Sequence, residues 1–571
     1  MWIKASGRQF ADAFDDDIMV PVALEELRRR RGINASSRRS GYCGSIVCYP
    51  GHVIFPGPGG VAAPDAPTGA SIRPAGGPDR PPALLVLPGR GMVLHRSTSL
   101  SADAMALCLA DVVARIPGDS KTAAPEPRGG VRIDELGGGE IPPVARGSGG
   151  LVVNRLALGV DIGTSGVRAA VLDEAGDFVG SAATKFTSIG GHPSAPATWR
   201  RATEATLAAL GREVDLARIG AFAVDGASGT MVAIGADDEP IGPARMYDQP
   251  CDDIAVLDRI AAVAPEGSPA LGRTSALARV LTLQTRPGVW KVVHQADWIA
   301  GVLGGRFDQS DENNALKTGY DPILRAWPDW IERAGAELGK LPTVHPPGAR
   351  IASVGAGARK IGLPAMVMVC AGTTDGCASF LATGASETGD AVTALGSTLV
   401  IKLLSDTPIQ AADYGVYSHR LGDRWLVGGA SNTGSKVIEA LFPGDFDALT
   451  AALRPEAPTG LHFYPLMRLG ERFPIHDPRL EPRLAPRPLE RERFFPAVLE
   501  GIGEVEALAY RRLRELGAPP LKSVRSIGGG GANAAWAKIR QGLIGAPFLP
   551  ASSQEACVGA ARLARRGLGF G

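Results

Sequence analysis

From residue 151 onward, apolar residues fall in short runs that end on an acid or a glycine. Leu156–Asp161 is such a run, and Val167–Asp173 and Phe178–Phe186 continue it across the turn Glu174-Ala175-Gly176-Asp177, which predicts three strands. Trp199–Leu210 repeats its apolar positions at helical spacing, and Ile219–Asp225 is a further strand running to an acid. A second strand-dense region opens near Ala365–Ala371 and continues through Ala391–Leu404, before helices near Pro496–Leu516 and Ala532–Leu543. Strands and helices in this order predict two α/β halves of about 200 residues each.

Upstream of residue 150 the pattern is broken. Residues 56–82 (PGPGGVAAPDAPTGASIRPAGGPDRPP) and 117–150 are dense in Pro and Gly with little to bury, and read as loop or disordered sequence. The second stretch closes on Gly147-Ser148-Gly149-Gly150, a linker composition. Between them Ala83–Leu87 predicts a short buried strand, and Ser101–Ile116 a helix with Met105, Leu109 and Val112 on one face. Residues 1–117 are therefore expected to be a small irregular α/β segment, with 118–154 as a linker. Arg28–Arg31 follows a predicted helix, where cations suit the C-terminal dipole, and reads as a solvated helix end.

Composition narrows the function. The 571 residues carry 60 Lys+Arg against 59 Asp+Glu, a net charge of +1, so no general attraction to nucleic acid or an acidic membrane is expected. No apolar stretch approaches membrane-spanning length, and the first residues lack the apolar core of a signal peptide. Seven cysteines, at 43, 48, 108, 251, 370, 377 and 557, include no paired C-x-x-C blocks and read as reduced thiols of a cytoplasmic protein. A homodimer is the default assembly.

Four segments carry chemistry. In LALGVDIGTSGVRAAVLDEAG (156–176) a strand delivers Asp161 to its end, Gly163-Thr164-Ser165-Gly166 make a tight turn, and an outgoing strand carries Arg168. Small residues let backbone N–H groups approach phosphate oxygens, and the hydroxyls of Thr164 and Ser165 add donors. Asp161 beside them suits a magnesium ion held through water. The competing reading is a plain hairpin whose Asp and Gly suit the turn. Cys370-Ala371-Gly372-Thr373-Thr374-Asp375-Gly376 again runs an apolar strand into small residues and an acid, although Asp375 could simply cap the helix after it. Ala394-Leu395-Gly396-Ser397-Thr398 is another strand and turn, and Gly528-Gly529-Gly530-Gly531-Ala532-Asn533 opens a helix where something flat could lie on the backbone.

In this order and spacing the segments resemble the FGGY family of carbohydrate kinases, over roughly residues 155–566. The resemblance implies an α/β fold of two actin-like, ribonuclease-H-like ATPase domains around a cleft. Residues 155–364 would hold the sugar site and first phosphate loop, and 365–571 the catalytic aspartate, second phosphate loop and adenosine site. Gly163, Thr164, Ser165 and Arg168 would bind ATP with Gly396, Ser397 and Thr398, while Gly529, Gly530 and Asn533 would meet adenosine and Asp375 would accept the proton of the sugar hydroxyl. YGVYSHRLGDRWLVGGASNTG (414–434) and YPLMRLGERFPIHDP (464–478) look like the D-ribulose kinase branch, close to D-xylulose kinases. Two departures stand out: Ala227 in VDGASGT replaces a hydroxyl residue, and Gly376 follows the catalytic Asp where Ser is common.

Phosphoryl transfer needs in-line positioning and charge neutralisation more than covalent chemistry. Asp161 and Asp375 are accordingly expected to face each other across the cleft, one from each half. An uncharged sugar needs short polar groups, for which Asp225, Ser228 and Asp248 are the candidates, Asp248 doubling as an ordinary turn acid. His294 and Gln295, ahead of Asp297-Trp298 on a predicted helix, could line the same cleft or pack in the core, and Trp327 and Trp330 read as a packing cluster.

Residues 2–28 and 83–119 are similar to the start and end of class II aldolase/adducin-type domains, whose divalent metal is held by several histidines. Only His52 and His95 occur before residue 192, so a catalytically silent remnant is expected. The expected function is ATP-dependent phosphorylation of a ketopentose, D-ribulose before D-xylulose or a sugar alcohol. A bifunctional aldolase–kinase and a non-catalytic nucleotide-binding scaffold are the alternatives of other classes.

Overall fold

The computed structural model describes four N-terminal strands and residues 156–353, 361–364, 367–444 and 446–570, and divides the chain into compact units spanning 1–145 and 146–571. In the first unit, β1 (Met19–Val22), β2 (Gly60–Ala62), β3 (Leu84–Leu87) and β4 (Gly91–His95) form a sheet ordered β1-β4-β3-β2. The strand expected at Ala83–Leu87 is β3. The triplet β2 pairs parallel to it from within the stretch expected to be loop. The helix expected at Ser101–Ile116, Arg28–Arg31, His52, the first three cysteines and the linker lie outside the described residues.

The second unit is built on two sheets. In the first, β5 (Leu156–Ile162), β6 (Gly166–Leu172) and β7 (Phe178–Lys185) form an antiparallel meander, and β8 (Ile219–Gly226) lies parallel to β5. Strands β5 and β8 are buried along their whole length, as a sheet covered on both faces requires. The helix Pro196–Leu210 packs on β6 and β7, with Trp199 edge-on to Trp298 at 6.2 Å. The short pair β9 (Met231–Ile234) and β10 (Lys291–His294) and the pair β11 (Gln309–Asp311) and β12 (Thr343–His345) stand outside this sheet. Beyond β8 come β13 (Arg350–Ser353), β14 (Met368–Cys370) and β15 (Thr373–Thr374), the last two parallel to β8.

The second sheet repeats the plan. Strands β16 (Asp390–Leu395), β17 (Leu399–Ser405), β18 (Tyr417–Leu421) and β19 (Arg424–Ser431) are antiparallel, and β20 (Ser523–Ile527) lies parallel to β16. Helices Arg491–Glu515 and Ala534–Ile544 pack together behind it, around Phe494, Phe495, Leu499 and Trp536. Glu506 is fully buried there, held by the Arg540 guanidinium at 2.6 and 2.7 Å, and accepts from the hydroxyl of Thr393 on β16.

The halves do not divide at residue 364, where the sequence placed the break. Strands β14 and β15 complete the first sheet, and the last helix, Ala556–Gly567, returns to cover β5, β6 and β8. The return is made through glycines: a Cβ on Gly159 would stand 1.9 Å from the Cys557 carbonyl oxygen, and one on Gly559 would stand 1.9 Å from that of Ala378.

Candidate active site

Three carboxylates come to one edge of the first sheet because parallel neighbours end together. Asp161 on β5 is in register with Asp225 on β8, and Thr373 of β15 with the same Asp225. Asp375 follows β15 directly, as the first residue of the helix Asp375–Ala382. The helix is capped by Thr374, whose hydroxyl accepts from the Cys377 N–H. Asp375 is therefore not the cap; its side chain is exposed and accepts only the adjacent Gly376 N–H, at 2.7 Å. Asp161 and Asp375 were expected to come from opposite halves; instead Asp161 lies on a strand of the first sheet and Asp375 directly follows another strand of that sheet.

Asp225 is wholly buried, and neither of its oxygens has a protein donor. Its neighbour in register is the Asp161 carboxylate, with which it can bond only by carrying a proton. Burial, then the charge of Asp161, hold the Asp225 carboxyl well above the ordinary carboxylate range. Burial also lifts Asp161, to about 6, with the charge of Asp375 adding and the bond from Asp225 and the Arg168 guanidinium opposing. Arg168, expected to bind ATP, is 3.3 Å from Asp161 and 3.4 Å from Glu555. Among the described residues no three His, Cys, Asp or Glu side chains group to hold a metal by themselves. An ion with few protein ligands and retained waters suits Asp161 backed by the donor-less Asp225, so these residues fit magnesium.

Gly163-Thr164-Ser165 form the exposed β5–β6 turn, closed by Gly163 N–H to the Gly166 carbonyl at 2.9 Å, with both hydroxyls outward. Gly396-Ser397-Thr398 form the equivalent β16–β17 turn. It is braced by Ser435 N–H to the Gly396 carbonyl at 2.9 Å and by Gly434, where a Cβ would stand 2.6 Å from the Thr398 Cα. The glycine run meets the same turn: Gly528, at φ 84°, has no room for a Cβ against the Leu395 carbonyl, while Gly529 is open. Asn533 is spent within the protein, capping its helix through the Trp536 N–H and donating to Thr450.

Beside Asp375 a cavity of about 340 Å³ separates the two sheets. Ser228, Lys317, Asp375, Lys402, Tyr417 and Arg472 are among its lining residues, and the Ser228 hydroxyl is buried with no partner in the protein. Of the three sugar candidates only Ser228 is among its lining residues; Asp225 is buried beside Asp161, and Asp248 is exposed on the loop after β9. Arg279 fixes the loop carrying Asp248, donating to the carbonyls of Gly229, Tyr247 and Gln249. Gln295 supports the turn behind Ser228 by accepting from the Ala227 N–H at 3.2 Å, and His294, Gln295, Asp297 and Trp330 are buried. Lys317, Lys402, Tyr417 and Arg472 were not among the residues singled out for chemistry, although 414–434 and 464–478, which contain two of them, were marked as whole segments.

Residues 391–568 match the FGGY family of carbohydrate kinases, C-terminal domain. The chain is 26% identical over 445 residues to the xylulose kinase of Escherichia coli, covering 72% of this chain and 89% of that protein. The xylulose kinase structure from Rhodospirillum rubrum superposes with a TM-score of 0.62 at 23% identity, over 72% of this chain and 90% of that one. The gluconate kinase structure from Lactobacillus acidophilus does so with a TM-score of 0.62 at 20% identity, over 73% and 90%. The two sheets correspond to the paired actin-like domains of these sugar kinases. Residues 391–568 thus match the C-terminal domain of the FGGY carbohydrate kinases, the chain is similar along most of its length to xylulose kinases, and it is an ATP-dependent sugar kinase, a phosphotransferase.

Proposed function

We propose that the chain transfers the γ-phosphoryl group of ATP to the terminal hydroxyl of a ketopentose, D-ribulose in the first place. One observation carries the choice of sugar: the segments that resemble the D-ribulose kinase branch, 414–434 and 464–478, supply Tyr414, Tyr417, His419, Gly428 and Arg472 to the cavity beside Asp375. The homology to xylulose kinases supports D-xylulose as the second acceptor.

In this reading the acceptor lies in the cavity against Ser228, and Asp375 takes the hydroxyl proton. The turns 163–165 and 396–398 offer N–H groups and hydroxyls to the phosphates. A magnesium ion held by Asp161 through water would neutralise charge on the β- and γ-phosphates. The protein's own contribution is to align hydroxyl, phosphorus and leaving oxygen, and to exclude water as the lobes close.

The test is Asp375→Asn, followed by ADP release against D-ribulose, D-xylulose, L-ribulose, ribitol and glycerol. Turnover on the preferred sugar should fall about a hundredfold or more, the scale for losing a general base, with ATP binding retained. Near wild-type turnover in a variant that still binds ATP would refute the assignment.

A further inference from the structure

The cavity carries more positive charge than an uncharged sugar requires. Lys317, Lys402 and Arg472 all line it, and none makes an ion pair among the described residues, while Asp375 is the one carboxylate in the lining. A concave site of one dominant sign concentrates a counter-charge, and here that charge must be supplied by what binds. We propose, resting on the kinase reading above, that Lys402 contacts the γ-phosphoryl group during transfer and is a catalytic residue of the second lobe.

The lysine has been given room. It leaves β17 opposite Gly428, and a Cβ on Gly428 would stand 3.3 Å from the Lys402 Cγ. At the far end its Nζ donates to the Cys377 sulfur at 3.5 Å and stands 3.2 Å from where a Cβ on Gly376 would be. The ammonium therefore reaches over the first turn of the Asp375–Ala382 helix, one residue from the base, in the space that the unusual Gly376 leaves open. Its hydrogen bond goes to a thiol, a weak acceptor that a phosphate oxygen displaces readily. Arg168, the cation nearest the first phosphate turn, is already engaged by Asp161 and Glu555.

The chemistry needs a cation at this point. The acceptor oxygen bonds to the γ-phosphorus as the bond from phosphorus to the β–γ bridging oxygen breaks, the hydroxyl proton passes to Asp375, and ADP departs with the electron pair. Charge on the three equatorial oxygens passes close to the Asp375 carboxylate, which repels it. An ammonium fixed beside that carboxylate offsets the repulsion where the charge develops.

The experiment compares wild type with Lys402→Ala and Lys402→Met in the full chain, on the sugar the wild type turns over best. Both variants should lose about a hundredfold in kcat while both KM values stay within about threefold. Added methylammonium should restore the alanine variant saturably and leave the methionine variant, whose side chain fills the space, unrescued. A kcat within about threefold of wild type, or a loss that appears only in KM, overturns the proposal. So does loss in the alanine variant that methylammonium does not restore, when that variant still binds ADP and melts normally. If the wild type ignores every ketopentose but phosphorylates another polyol, the sugar assignment fails and the lysine is judged on that polyol. If Asp375→Asn loses turnover and the Lys402 variants do not, the lysine alone has failed; if Asp375→Asn is silent and the Lys402 variants are not, the base assignment has failed and the lysine stands.

Discussion

Asp161 and Asp225 form a titrating pair whose behaviour follows from burial. The Asp161 carboxyl is lifted from 3.8 to about 6, so the native state holds a proton that the unfolded chain releases earlier. Below pH 4 both states are protonated and burial carries no ionic cost. Between pH 4 and 6 the unfolded state ionises first and gains, so native stability falls as pH rises, and above that window the loss is complete. Asp161→Asn removes this cost, so its unfolding free energy relative to wild type should grow between pH 4 and pH 7 by about 2–3 kcal/mol. Urea titrations at each pH read the difference directly; a constant offset would mean that Asp161 ionises normally. In the functional direction the sign reverses: a magnesium ion held at Asp161 would need the charged carboxylate, so nucleotide affinity with magnesium present should rise over the same window and lose that rise in Asp161→Asn.

At the scale of elements, the return of Ala556–Gly567 to the first sheet ties the end of the chain to its phosphate turn. The contact is backbone against backbone, since the Gly159 Cα faces the Cys557 carbonyl with no space between. Gly159→Ala would force helix and β5 apart, and overpacking of this kind should cost about 3 kcal/mol or more, read as a lower denaturation midpoint with an unchanged slope. A loss under about 0.5 kcal/mol would show that the helix yields freely. This packing explains what could and could not be read from residues alone. Strands ending on Asp161 and Asp225, and the turns at 163 and 396, were legible because each is a local pattern of apolar run, acid and small residues. The placement of Asp375 was not, because two residues, Thr373 and Thr374, assign it to the first sheet by pairing with β8. Lys402 was hidden for the same reason: among the apolar residues of β17 it is one charge, and only the glycines beside it, Gly376 and Gly428, each 26 positions away in the sequence, make it a site.

For the whole molecule, the second unit is two copies of one plan, each an antiparallel set of strands with a small-residue turn and a parallel strand beside it. The copies are joined across the cleft by Asn313, which donates to Thr373 of the first sheet and to the Arg420 carbonyl of the second, and accepts from the Arg420 N–H. The residues proposed for phosphate, sugar and base lie between 161 and 533, and the elements that support them lie between 156 and 567. The unit 146–571 is compact by itself, has its own hydrophobic clusters and contains all of these residues. A chain beginning at Arg146 should therefore fold alone and phosphorylate its sugar with kcat and KM within about twofold of the full protein. The same comparison addresses the aldolase-like reading of the first segment. If the full chain cleaves a sugar phosphate and the shortened one does not, the first unit is an enzyme and not a silent remnant. If shortening abolishes the kinase itself while the fragment remains folded, the first unit takes part in the site, and the division of labour argued from the two sheets is wrong.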